Sequence, residues 1–264
     1  MRFDVITLFP ELFAPFLSAG INRRAFETGA VELKLWQLRD YADGTYRRVD
    51  DRPFGGGPGM VMLAEPLEKC LQAIRLDRAL KSPFETPVPV VLFSPIGQPL
   101  NHAGVEEWSQ SDGAILICGR YEGLDQRFID AHVDVQVSLG DFVLSGGEIA
   151  AIALLDAVAR LQPGVLNDEG SHQMDSFNPA LDGLLDCGHF TRPEVWKDIT
   201  VPPVLMSGHH AEITKWRRQQ SLVLTQKYRP DLILGARLAG KLSTQDENFL
   251  SSLGASGLVE SKSN

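Results

Sequence analysis

Three glycine-bearing turns and one longer glycine-rich stretch carry the residues whose types and spacing could do chemistry. "SLGDFVLSGGE" (residues 138–148) sets Gly140, Gly146 and Gly147 just ahead of a helical pattern, as a phosphate-binding loop would. Yet no Lys-Ser or Lys-Thr follows, and Asp141 sits in its middle. "FSPIGQ" (93–98) and "CGRYEG" (118–123) each follow an apolar run, and "VDDRPFGGGPGMVM" (49–62) packs acids, an arginine, an aromatic and glycines together. None of these matches the Walker pattern, and none has Gly-x-Gly-x-x-Gly spacing opening a helix. A triphosphate or dinucleotide ligand is therefore not expected. Glycines let a backbone approach a ligand edge closely. Acids at Asp141 and Glu122 suit a ligand with a cationic centre and no phosphate, and S-adenosylmethionine has that character.

Such loops need a scaffold. "FDVITLF" (3–9), "PVVLFSP" (89–95) and "AILICG" (114–119) read as strands, the last two as buried central ones. "VELKLWQL" (31–38) and "VDVQVSL" (133–139) alternate apolar with polar, as half-buried strands do. Helical windows at 10–28, 66–79, 103–111 and 124–131 lie between them, and "IAAIALLDAVARL" follows the opening loop, with Ser145 as the expected N-cap. Strand–helix alternation predicts an α/β fold with a mostly parallel sheet, whose ligands bind at the carboxyl ends of the strands. The organisation expected is a first domain over 1–164, a flexible polar linker over 165–183, a small basic helical domain over 184–245 and a disordered tail over 246–264.

Composition narrows the class. Three cysteines, Cys70, Cys118 and Cys187, without Cys-x-x-Cys spacing, argue against zinc and disulfide scaffolds. No run reaches transmembrane length and no signal peptide is expected, so no membrane partner is expected and a cytoplasmic protein is. The net charge of −9 argues against nucleic acid, but residues 189–229 hold seven cations against three anions, a local +4.

Five stretches, "VDDRPFGGGPGM", "CGRYEGLDQR", "GDFVLSGGE", "LLDCGHFTRPE" and "VPPVLMSGHHAEITKWR", together resemble the bacterial tRNA (guanine-N1)-methyltransferases, the TrmD family of SPOUT methyltransferases. The resemblance runs from about residue 3 to about residue 230. It implies a C-terminal trefoil knot in the first domain, S-adenosylmethionine as cofactor, magnesium assistance, tRNA as substrate and a homodimer with its active site at the subunit interface. The reaction implied is methylation of N1 of guanosine 37, just 3′ of the anticodon.

By the same resemblance Gly119, Leu139, Gly140, Asp141, Phe142, Val143 and Leu144 surround the cofactor. Ser94, Pro95 and Gly97 form another wall, with Gly146, Gly147 and Tyr121 close by. Asp175 matches the family's general base, Arg160 its arginine at O6, and Glu122 an acid beside the cofactor; Asp182 is a further acidic candidate. Lys215, Arg217 and Arg218 would meet tRNA phosphates. The chain departs from the family pattern at His209, Gly188 and Met174. The rival readings are another SPOUT RNA methyltransferase, such as a ribose 2′-O enzyme, and a non-catalytic RNA-binding relative.

Overall fold

The computed structural model describes residues 1–81, 87–166 and 172–260, with side chains to residue 253. The chain divides into two compact units, Met1–Asn167 and Asp168–Asn264.

The first unit runs β1 (Arg2–Thr7), a 3-10 turn (Pro10–Phe13), α1 (Ala14–Ser18), α2 (Gly20–Glu27) and β2 (Glu32–Gln37). A short ladder of β3 (Asp50–Asp51) with β4 (Val61–Met62) leads into α3 (Ala64–Lys81). There follow β5 (Val90–Pro99), α4 (His102–Ser109), β6 (Gly113–Ile117), α5 (Gln126–His132), β7 (Val135–Ser138) and α6 (Glu148–Arg160). The helical window expected over 10–28 is broken into three pieces. Pro10 and Pro15 each start a turn rather than sit inside one, and Ala19 is extended ahead of Gly20, which has positive φ.

One five-stranded sheet, ordered β2-β1-β6-β5-β7 and parallel throughout, forms the centre. The continuous apolar runs occupy central places, and the two alternating runs are the edges β2 and β7. The central strands lie under helix layers on both faces and so need apolar residues at most positions. The period of two divides the core accordingly. Phe3, Val5, Leu116 and Cys118 face a layer containing Leu154, Leu155 and Val158 of α6. Ile6, Ile115, Ile117 and Leu92 face Leu67, Leu71 and Ile74 of α3. The buried stripe on α6 includes Ala150, Ala151 and Ala159, small residues that let the helix lie close to the sheet.

Asp4 shares the α3 face and is fully buried. It accepts from Arg2 and Arg78, each at 2.6 Å, and from the indole N–H of Trp36 at 2.8 Å. Charge burial is met here by pairing at the amino ends of the strands, away from the carboxyl ends where ligands bind.

The second unit holds 3-10 turns at His172–Met174 and Pro179–Leu181, a hairpin of β8 (Val195–Trp196) with β9 (Ile199–Thr200), α7 (Pro203–Met206), α8 (His210–Tyr228), α9 (Pro230–Leu238) and α10 (Thr244–Glu260). Leu184, Leu222, Ile233, Ala236 and Leu250 form its core.

Two expectations change here. Of the expected linker, residues 167–171 lie outside the described residues, but 172–183 are folded into this unit. The amide of Phe177 donates to Leu184 at 2.8 Å, and the buried Asn178 side chain holds the carbonyl of His172 and the amide of Ala180. The expected disordered tail begins inside α10, where Asp246 and Leu250 are buried. Its apolar Phe249, Leu250 and Leu253 recur at helical spacing and pack on the core, a pattern masked by surrounding serines and glycines.

Candidate functional site

The carboxyl ends of β5, β6 and β7 surround a cavity of about 410 Å³. That volume is in the range of small-molecule sites. Three of its walls are the turns picked out in the sequence.

The first wall leaves β5. Phe93 and Gln98 both pair with Val137, so residues 94–97 bulge out of the strand. Ser94, Pro95 and Ile96 line the cavity. Gly97 does not line it and instead closes the bulge: a Cβ there would stand 2.5 Å from the backbone nitrogen of Val137. The expected role of Gly97 as wall is thus replaced by close backbone packing behind the wall.

The second wall leaves β6 and contains Gly119, Arg120, Tyr121 and Glu122. Tyr121 has φ of 60°, a left-handed conformation rarely occupied by residues other than glycine. Its phenol is pushed above the ordinary value by burial and by the charge of Asp50; Arg39 opposes the shift. Glu122 is seated by the 49–62 stretch. Its amide donates to the carbonyl of Met60 at 2.9 Å, and a Cβ on Gly59 would stand 2.3 Å from its Oε1. The glycine-rich stretch therefore makes room for an acid in the pocket wall, a pairing of distant segments that motif inspection does not give.

The third wall follows β7. Leu139, Gly140, Phe142, Val143, Leu144, Gly146 and Gly147 all line the cavity. Asp141 is exposed and outside the lining, so of the two acids expected to face a cation, Glu122 is in the wall and Asp141 is not. The N-cap is Gly147 rather than Ser145, and no side chain caps α6. The amide of Gly147 donates to the carbonyl of Gly119 at 3.0 Å, which sews the start of α6 to the end of β6.

Sequence reasoning gave no role to Arg120, Gln126, Gln136 or Ser138, all of which line the cavity. Arg120 lies inside a quoted motif, and its long charged side chain beside an apolar strand end was the available signal.

Besides Gly97 and Asp141, the expected Arg160 and Asp175 do not line this cavity. Arg160 ends α6, whereas the helix start supplies Gly147 and Ala150 to the wall. Thirteen residues at 1.5 Å each separate the two ends by roughly 18–20 Å. Asp175 belongs to the second unit, half-buried in a turn where its amide donates to His172 at 3.2 Å. Asp182 and Arg218 are also in that unit and bind each other at 2.8 Å, while Arg218 forks onto Asp246. That leaves Arg218 engaged within its own unit rather than aimed at phosphates, whereas Lys215 and Arg217 are exposed on α8. Among the described residues no group of three or more His, Cys, Asp or Glu side chains could hold a metal ion.

A parallel α/β sheet with a glycine-walled pocket at the carboxyl ends of its strands, holding one acid and one arginine, is of the class that binds a small ligand there. The comparisons with known proteins narrow this further. The chain belongs to the tRNA (guanine-1)-methyltransferase family, TrmD, whose family model it matches over residues 1–235. It is 70% identical over 253 residues to the tRNA (guanine-N(1)-)-methyltransferase of Polaromonas sp. strain JS666, covering 96% of this chain and 97% of that one. It is 68% identical to the enzyme of that name from Paracidovorax citrulli, covering 96% and 98%, and 54% identical to that from Bordetella pertussis, covering 96% and 98%.

Proposed function

We propose that this protein methylates N1 of guanosine 37 in tRNA, with S-adenosylmethionine as methyl donor. Family membership gives the reaction class, and the observation that carries the cofactor reading is the three-walled pocket. Its volume suits one nucleoside-sized ligand, its walls offer backbone amides and carbonyls, and it has no lysine for a phosphate. When bound, the cofactor supplies an electrophilic methyl group on a sulfonium.

The chain's own residues have the remaining work. Guanine N1 carries a proton and attacks only as that proton leaves, so a general base must reach it. Asp175 takes the proton. The charge that develops on O6 calls for a cation, and Arg160 supplies it. The pocket walls hold the donor carbon in line with N1, and positioning of this kind supplies much of the rate. Glu122, in the second wall, offsets the positive charge of the bound donor.

Arg160 and the pocket stand at opposite ends of α6, which supports a homodimer in which the arginine of one copy serves the pocket of the other. Exposed apolar residues on this unit, among them Leu12, Val143 and Ile149, are in keeping with a covered face. The packing of the start of α6 back onto β6, together with family membership, supports a trefoil knot through the 139–147 segment. Lys215 and Arg217 would contact tRNA phosphates, and a cytoplasmic location goes with that substrate. No helix among the described residues is long and apolar enough to cross a membrane.

The test is transfer of labelled methyl to an unmodified tRNA transcript, beside one with adenosine at position 37. Methyl on N1 of guanosine 37, absent from the substituted transcript, is the expected product. Methyl at another atom would move the function to a sibling RNA methyltransferase. Asp175→Ala should abolish transfer and leave cofactor affinity unchanged; surviving transfer would remove Asp175 from the mechanism.

A further inference from the structure

Behind the pocket lies a buried ion pair that the mechanism above does not use. Glu148, the first residue of α6, is 1% exposed. One carboxylate oxygen accepts from the hydroxyl of Thr7, at the end of β1, at 2.8 Å. The other stands 2.9 Å from a terminal nitrogen of Arg120. The Arg120 guanidinium also donates to the carbonyl of Ser145 at 3.1 Å and lies over the ring of Phe9, 4.5 Å from its centroid. The Thr7 hydroxyl in turn accepts from the amide of Phe9 at 2.9 Å.

The geometry is tight on every side. Arg120 and Gly146 form a backbone bridge, and a Cβ on Gly146 would stand 2.2 Å from Arg120 Nε. That nitrogen and Glu148 Oε2 are both buried without a hydrogen-bond partner, so the arginine is held by its close ion pair with Glu148, by its hydrogen bond to Ser145 and by the shape of the glycine beside it. A buried carboxylate facing a nearly buried guanidinium is costly to break, because either partner left alone is an uncompensated charge. Burial holds the Cys118 thiol well above its ordinary value, and the charge of Glu148 pushes it in the same direction.

We infer that Glu148 and Arg120 are positioning residues for the cofactor: their pairing fixes the distance between the 119–122 wall and the 139–147 wall. Neither acts on the reacting atoms. Arg120 reaches from one wall to a carbonyl of the other, and Glu148, anchored to β1 by Thr7, stops the arginine from swinging into the pocket. Without the pairing, the walls lose their register with each other while the scaffold behind them remains. This inference rests on the proposed cofactor site and assigns its rigidity to a specific link.

The test uses the full chain and four variants: Glu148→Gln, Arg120→Met, the two combined, and Thr7→Val. Each single charge variant should raise KM for S-adenosylmethionine roughly 10- to 100-fold, with any fall in kcat accompanying that rise because the same walls align the donor, and with KM for tRNA within about threefold. The combined variant should be no worse than about threefold beyond the poorer single one, because one link is lost once. Thr7→Val should raise the same KM by about threefold, and it carries the test alone if the charge variants do not fold. An unchanged cofactor KM in a folded variant overturns the inference. So does a fall in kcat with KM unchanged, or losses that multiply in the combined variant. Calorimetry on the unaltered protein separates the two levels: failure to bind S-adenosylmethionine would remove the cofactor reading itself, whereas normal binding in every variant would remove only the strut.

Discussion

Gly147→Ala should separate space from flexibility as the reason for a glycine. Gly147 has φ of −78°, which alanine adopts freely, so no backbone strain is introduced. The cost must come from contact. A Cβ would stand 2.7 Å from the Cα of Cys118, which is 0.7 Å short of the 3.4 Å at which ordinary contact begins. The obstructing atom is backbone in the middle of the sheet, so the start of α6 has to move instead. Overpacking of this kind costs about 1–3 kcal/mol. Weakening the Gly147–Gly119 hydrogen bond adds about 1 kcal/mol. A loss of about 2–4 kcal/mol lowers the melting temperature of a unit this size by about 4–16 °C. Gly235→Ala is the control. It lies in α9, nothing stands within 4 Å of its Cβ, and alanine there should stabilise by about 0.5–1 kcal/mol. Urea and thermal denaturation give both signs, and calorimetry gives cofactor affinity, which only Gly147→Ala should weaken. Equal destabilisation by both variants would refute the reasoning, as would a Gly147→Ala protein with unaltered stability and affinity.

Two further outcomes follow from the charged groups. Asp4→Ala strands Arg78, whose side chain is 9% exposed, and takes one of two close carboxylates from Arg2, which keeps Asp77 at 2.6 Å; it should cost about 3–5 kcal/mol in urea unfolding, and a loss below about 1 kcal/mol would show that the network is not held by charge. Acid should destabilise through carboxyls held below their ordinary values. Lys34 and Arg2 lower Asp77, and Lys81 lowers Glu32; at Asp246 burial pushes upward, but Arg218 and Ser243 outweigh it. Each is depressed on folding, so its contribution is full above the unfolded values, near 3.8 for Asp and 4.5 for Glu, and is lost as pH falls below them. Partial exposure limits the Asp77 and Glu32 pairs to about 1 kcal/mol or less, whereas Asp246 is buried and its pair with Arg218 is less screened. Urea midpoints should therefore be flat near neutrality and fall below about pH 4, with Asp77→Asn reducing the slope; an unaltered slope in that variant would remove Asp77 from the account.

The sheet was legible in the sequence because burial leaves a periodic trace. Continuous runs such as "AILIC" became central strands, and alternating runs such as "VELKLWQL" became edges. The cavity was legible to the extent that its walls are contiguous segments, each with its own glycines. What escaped was every feature made by residues far apart in the chain. Gly59 makes room for Glu122, and Thr7 anchors Glu148 across 141 positions; neither pairing leaves a local pattern. The two-residue strands β3, β4, β8 and β9 are too short to show any period. Arg218 looked like a phosphate ligand because a basic helix face carries no mark of the acids that the fold brings to it. Asp182 and Asp246 approach from 36 and 28 residues away.

The same pairing principle explains why the pocket can resemble a phosphate loop and not be one. A phosphate site at a helix start uses free backbone amides and the positive end of the helix dipole, often with a cation beside them. In this chain the Gly147 amide is used by Gly119, and the position that opens α6 is occupied by a carboxylate. The single arginine in the wall is neutralised by that carboxylate, so it contributes a span between walls rather than a free positive charge. The rest of the lining is apolar surface, glycine-bearing turns, neutral polar residues such as Gln126, Gln136 and Ser138, and Glu122. Such a wall disfavours a polyanion through its one acid and through the helix amide already engaged. The glycines serve this arrangement through their size: they let two strand ends and a helix start approach closely enough for backbone to be the binding surface, and the buried ion pair then keeps them at that distance.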